Sequence, residues 1–192
     1  MAKELYKSSS FKGYSLWLSP KGQPQVNGLL ETLIAKASHA FHSPSFQPHV
    51  TLLGAIEASA EEVIQKTQAL AAKLGPTKIP LVLDEIAVGD AYFQCVLWKV
   101  ATTPDTQTLR EVNQLARGVF DREDDPVFFP HLSLVYGDFS PQVRQEIRER
   151  IGRGDFVELK DEHLRFEVGS ILVVNTEGKP HEWQVIAEVE LS

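Results

Sequence analysis

The chain has 192 residues, 43% of them hydrophobic and 23% charged, which is enough apolar content for a real core at an ordinary charge density. Its formal net charge of −7 works against long nucleic acid, whose binding draws on a basic footprint, and leaves room for a small phosphorylated molecule or a very short oligonucleotide. A single cysteine, Cys95, excludes an internal disulfide; with no run apolar enough for a signal peptide or a membrane span, a soluble cytoplasmic protein is expected.

In chain order, Gly13 to Leu18 alternates Tyr14, Leu16 and Leu18 with smaller or polar partners and predicts a strand closed by the turn Ser19-Pro20-Lys21-Gly22. Val26, Leu29, Leu30, Leu33, Ile34 and Ala37 recur at helical spacing over 24–41. A strand running through about Ala55 follows. Ser59 with Glu62 predicts a capped helix whose inner stripe is Val63, Thr67, Leu70 and Leu74, stopped by Gly75-Pro76. Two strands are predicted near 79–88 and 92–101. Thr103-Pro104 opens a helix with Leu109, Val112, Leu115 or Ala116, and Val119 inward, and an acidic loop at 121–126 leads to a further strand. Ser140-Pro141 starts a helix with Val143, Ile147 and Ile151 buried, and two closing strands are predicted near 162–174 and 182–190.

Almost the same eight residues occur twice. Phe46-Gln47-Pro48-His49-Val50-Thr51-Leu52-Leu53 returns as Phe128-Phe129-Pro130-His131-Leu132-Ser133-Leu134-Val135, 82 residues later. Side chains i and i+2 of a strand share a face, so His49 lies beside Thr51 and His131 beside Ser133, while Val50, Leu52, Leu132 and Leu134 point into a core. The order helix, His strand, helix, strand, strand occurs in both halves. It predicts a duplicated α+β fold of two lobes about a pseudo-twofold axis, with the His strands facing each other across a cleft. Two imidazoles and two hydroxyls around one cleft are equipment for acid–base work on a bound anion, phosphate above all.

The remaining chemistry-bearing residues read as structural. His39 and His42 stand beside the helix-breaking Ser43-Pro44, His163 and His181 read as turn or strand-edge residues, and no third ligand sits at a recognised metal spacing. Glu123-Asp124-Asp125 reads as a solvated loop, Cys95 as a buried small residue, and Gly152-Arg153-Gly154-Asp155 as a helix stop. Trp17 and Trp183 read as strand aromatics. No metal and no cofactor are expected.

The two motifs, Pro48-His49-Val50-Thr51 and Pro130-His131-Leu132-Ser133-Leu134, resemble those of the 2H phosphoesterase superfamily, and within it the plant and yeast type of cyclic phosphodiesterase. Tyr14-Ser15-Leu16-Trp17 and Tyr92-Phe93-Gln94-Cys95-Val96 are similar to stretches of those enzymes too. The resemblance covers most of the chain. It implies one domain over residues 1–192, with antiparallel sheets and outer helices: lobe 1 mainly from 10–101, lobe 2 mainly from 102–192, the termini open to exchange between lobes. It implies metal-independent opening of ADP-ribose 1″,2″-cyclic phosphate to ADP-ribose 1″-phosphate and of nucleoside 2′,3′-cyclic phosphates to 2′-phosphates. His49 and His131 would be the acid–base pair, Thr51 and Ser133 the hydroxyls on the phosphate, and Tyr136 a substrate contact. Tyr92 and Phe93, after a glycine-containing turn, are expected to stack on base or sugar, with Phe93 at the matching family position. The protein is expected to act as a monomer on a small cyclic-phosphate nucleotide. Two alternatives stay open: an RNA-end relative of the 2′–5′ ligase or cyclic-end hydrolase type, and a non-catalytic nucleotide-binding module.

Overall fold

The computed structural model describes residues 12–101, 103 and 107–192. Eight antiparallel strands, β1 (Tyr14–Leu18), β2 (Val50–Ile56), β3 (Ile79–Val88), β4 (Val96–Val100), β5 (His131–Val135), β6 (Arg165–Val168), β7 (Ser170–Asn175) and β8 (Gln184–Glu190), form one curled sheet in the order β6-β3-β4-β5-β2-β1-β7-β8. Four α-helices accompany them among the described residues: α1 (Pro24–Ala40), α2 (Ala60–Leu74), α3 (Gln107–Val119) and α4 (Pro141–Gly152).

Local chemistry places the helix ends. Ser59 and Ser140 accept hydrogen bonds from the backbone N–H groups of Glu62 and Val143, each satisfying one of the donors that a helix start leaves orphaned. The Glu62 carboxylate does not complete a reciprocal box; it lies 3.5 Å from Lys66 one turn on. Gly75 ends α2 at φ 62°, a conformation that glycine takes without steric cost, and Pro76 follows. The expected opening of α3 at Pro104 lies outside the described residues. In α3 the inward stripe is Leu109, Val112 and Ala116, while Leu115 is exposed.

The sheet is pinched at its centre. β5 and β2, the two His strands, are joined by the single pair Val50–Leu132 and then part. Leu52 O, beyond that pair, accepts instead from Asn113 Nδ2 at 2.8 Å, so the parting leaves this carbonyl satisfied. On one side of the pinch lie β6, β3, β4 and β5 with α1 packed on β5 and α4 on β3 and β4; on the other lie β2, β1, β7 and β8, with α2 on β7 and β8, while α3 packs on β2 and on β3 across the pinch.

The strands are not shared out as the repeat predicts. β3 and β4, expected with β2, pair instead with β5 and β6, so one half-sheet is the continuous stretch 79–168 and the other is assembled from 14–56 and 170–190. The expected strand 162–174 is really two: β6 pairs with β3, Gly169 follows, and β7 crosses to β1. The strand expected from 92 starts at Val96, because Tyr92–Gln94 forms a single 3₁₀ turn closed by Gln94 N–H donating to Ala91 O.

One large core runs behind both halves, with Leu16, Val50, Leu81, Leu132 and Val173 fully buried. A separate aromatic cluster of Phe46, Phe93 and Tyr136, with Ile34, packs against Tyr92 and Trp183 beneath the pinch. Fully burying such side chains is worth about 1.5–3 kcal/mol each, so this cluster makes a rigid floor. No helix of the described residues is long and apolar enough to cross a membrane.

Candidate active site

A cleft of about 240 Å³ opens where the His strands part, and His49, Thr51, His131, Ser133, Tyr136 and Phe93 all line it. Thus the repeat does bring both histidines and both hydroxyls to one place.

The two imidazoles are held alike. His49 Nδ1 lies 2.6 Å from Gln47 O, and His131 Nδ1 lies 2.8 Å from Phe129 O, each carbonyl belonging to the residue two before the His. A carbonyl oxygen only accepts, so Nδ1 carries the proton in both rings and Nε2 is the nitrogen left to take or give one.

Their surroundings differ. Trp17, opposite Thr51 in the β1–β2 register, lies flat on the His49 ring with 3.6 Å between centroids and 5° between planes. His49 is left 5% exposed. Burial, reinforced by the positive charge His131 would carry, brings its pKa down to about 4 despite the Gln47 bond that opposes the change. At the corresponding place beside Ser133 stands Leu97, which cannot cover a ring in that way. His131 is half-buried with Phe129 alongside, centroids 5.3 Å apart, and its pKa is also lowered by burial, against the pull of the Phe129 carbonyl.

The hydroxyls differ as well. Ser133 Oγ donates to Phe93 O at 3.0 Å, whereas Thr51 Oγ1 has no protein partner among the described residues and is open to a ligand. Tyr136 is 3% exposed, stacked on Phe46 at 3.8 Å, and its phenol is raised by burial, so it stays protonated and can donate.

Phe93 reaches the cleft but is 6% exposed, its ring packed edge-on against Tyr92 and Tyr136. Tyr92 packs behind it and does not line the cleft. The Phe93 ring is thus enclosed, whereas Tyr92 is half-buried outside the cleft lining. Sequence reading passed over Trp17 as a strand aromatic, and the signal that identifies it is the cross-strand register rather than its own segment. It also passed over Phe129, although that position is where the two copies of the motif differ most in chemistry, Gln47 against Phe129.

Elsewhere two carboxylates of the acidic loop are paired locally, Asp125 with Arg122 at 2.8 Å and Asp121 with Lys66 at 3.1 Å. Cys95 is fully buried, and burial pushes its thiol up to about 11. No group of three or more His, Cys, Asp or Glu side chains that could hold a metal occurs among the described residues.

The sequence model of the family described as "Cyclic phosphodiesterase-like protein" matches residues 12–191. The chain belongs to this family. The cyclic phosphodiesterase-like chain is 26% identical over 182 residues to the cyclic phosphodiesterase of Arabidopsis thaliana, covering 93% of itself and 95% of that protein. It is 27% identical over 213 residues to a 2′,3′-cyclic-nucleotide 3′-phosphodiesterase of Kluyveromyces lactis, covering 92% and 98%. Among solved structures it shares the fold of E. coli LigT complexed with ATP, at a TM-score of 0.59 and 12% identity over 95% of this chain and 99% of that one. These findings place the cyclic phosphodiesterase-like chain within the 2H phosphoesterases, as its motifs imply, and make it an enzyme of cyclic phosphodiester hydrolysis.

Proposed function

We propose that the protein hydrolyses small cyclic phosphodiesters by acid–base catalysis between His49 and His131, opening ADP-ribose 1″,2″-cyclic phosphate to ADP-ribose 1″-phosphate and nucleoside 2′,3′-cyclic phosphates to 2′-phosphates. The observation that carries this reading is the matched pair of imidazoles in one cleft, each with Nδ1 bound to a carbonyl and Nε2 left for proton transfer.

One neutral His takes a proton from water at Nε2. The hydroxide equivalent forms a new bond to phosphorus, the phosphorus–oxygen bond to one ribose oxygen breaks, and the protonated His delivers its Nε2 proton to that oxygen. One water is consumed, and the pair returns to its starting state by exchanging a proton with solvent. Each of the two transfers is worth roughly 10²–10⁴-fold in rate.

The hydroxyls steady the non-bridging oxygens, where charge accumulates. Thr51 donates directly. Ser133 turns from Phe93 O toward the phosphate, or passes that task to its neighbour Tyr136. The Arabidopsis and Kluyveromyces relatives, by the names they carry, support cyclic phosphate as substrate.

Phosphorus NMR in EDTA tests the reading with ADP-ribose 1″,2″-cyclic phosphate and adenosine 2′,3′-cyclic phosphate in separate tubes. Ring opening that leaves the phosphate on one defined oxygen is the expected result. Absence of turnover of both by the folded protein would overturn it.

A further inference from the structure

The aromatic rings of the cleft pack on one another or on a histidine, and among them Phe129 alone stays exposed. Trp17 carries His49 on its face, Tyr136 stacks on Phe46, Phe93 is boxed in by Tyr92, Tyr136 and Trp183, and Phe128 packs on the main core. Phe129 has His131 stacked beside it at 5.3 Å between centroids, yet it is 47% exposed on the cleft wall, and Val127 nearby is 88% exposed. A pair of large apolar side chains left in water at the lip of a polar cleft forgoes burial that the core offers elsewhere, and such surfaces mark ligand contacts.

We propose that Phe129, flanked by Val127, is the platform on which the nucleobase of the substrate stacks, on the His131 side of the cleft. This rests on the nucleotide reading above and adds to it how the substrate lies.

Two observations give the platform its consequence. The Phe129 carbonyl is the group that holds His131 Nδ1, so the surface under the base and the imidazole beside the phosphate are fixed to each other through one residue. The corresponding residue of the first motif, Gln47, is exposed and lines a separate hollow with Trp17, Phe46 and Trp183. The base therefore has one wall rather than two, and an otherwise pseudo-symmetric cleft accepts a nucleotide one way round.

The test is calorimetric binding of adenosine 2′-monophosphate and, separately, inorganic phosphate to the wild type, Phe129→Ala and Phe129→Tyr. Stacking predicts that Phe129→Ala weakens the nucleotide about 10-fold or more relative to phosphate, and that Phe129→Tyr restores the difference. Equal changes for both ligands, or none for either, would overturn the platform; the former would mean that Phe129 acts only through His131. Failure of the wild type to prefer the nucleotide over phosphate would overturn it as well. Binding does not depend on turnover, so a protein that binds selectively but opens no cyclic phosphate would sink the hydrolase reading and leave the platform standing.

Discussion

Trp17 lies parallel to His49 at stacking distance, and that contact separates two histidines that the sequence presents as equivalents. The indole removes one face of the imidazole from water and leaves the Nδ1 edge to the Gln47 carbonyl. Desolvation of this kind penalises the charged ring. Trp17→Ala should raise the His49 pKa from about 4 toward the ordinary value near 6.5, read by NMR titration of the imidazole carbon-bound protons. The variant should also lose roughly 3–5 kcal/mol of stability, since a nearly buried Trp is removed. An unmoved pKa in a folded variant would show that the stack is not what desolvates the ring.

Removal of either imidazole should be close to removal of both. His49→Ala and His131→Ala are each expected to lower kcat/KM on a cyclic phosphate by about 10²–10⁴-fold. The double variant should fall little further, because the two act as a unit. Near-full activity in either single variant would refute two-histidine catalysis.

The pH dependence of kcat/KM should be bell-shaped and centred below pH 6.5. Catalysis needs one ring neutral and one protonated, and burial lowers both pKa values in the free protein. Above the upper value the productive state declines about tenfold per pH unit, and below the lower one it declines likewise. The limbs belong to the pair rather than to either residue. A plateau reaching through pH 7 to 8 would contradict this.

Stability has its own pH signature. His49 binds its proton more weakly folded, at about 4, than unfolded, near 6.5, so the unfolded chain takes up more protons between those values. The contribution is complete above pH 6.5 and is lost as pH falls toward 4, in total roughly 3 kcal/mol, with His131 acting in the same direction. Denaturant midpoints measured from pH 7.5 to 4 should show this slope in the wild type and a shallower one in His49→Gln.

The two hydroxyls should separate binding from stability. Ser133→Ala strips the Phe93 carbonyl of its buried donor and should cost about 1–3 kcal/mol as well as weakening substrate. Thr51→Ala breaks no internal hydrogen bond and should act on kcat and KM at nearly unchanged stability. Thermal melts beside steady-state kinetics distinguish them.

Much of this was legible in the sequence because it is local. Strand alternation alone puts His49 with Thr51 and His131 with Ser133, and the helix caps at Ser59 and Ser140 are written within four residues. What escaped depends on partners distant in the chain. Which sheet β3 and β4 join cannot be read from their own residues, nor that Trp17 faces Thr51 through a register that shifts within β1. Tyr92 and Phe93 have strand-like composition, yet a 3₁₀ turn aims them into the aromatic floor. Phe129 is not legible from the repeat because it stands where the two copies differ, opposite Gln47.

The pairing order also bears on how the site comes into being during synthesis. The half-sheet of β3, β4, β5 and β6 has all its strands once residue 168 has been made, but β2 and β1 must wait for β7 and β8 to complete theirs. Contacts that span so much sequence form late, after the local ones. His131 thus belongs to a unit that can mature early and His49 to one completed by later strands, so the two histidines are held in place together only once β7 and β8 have been made.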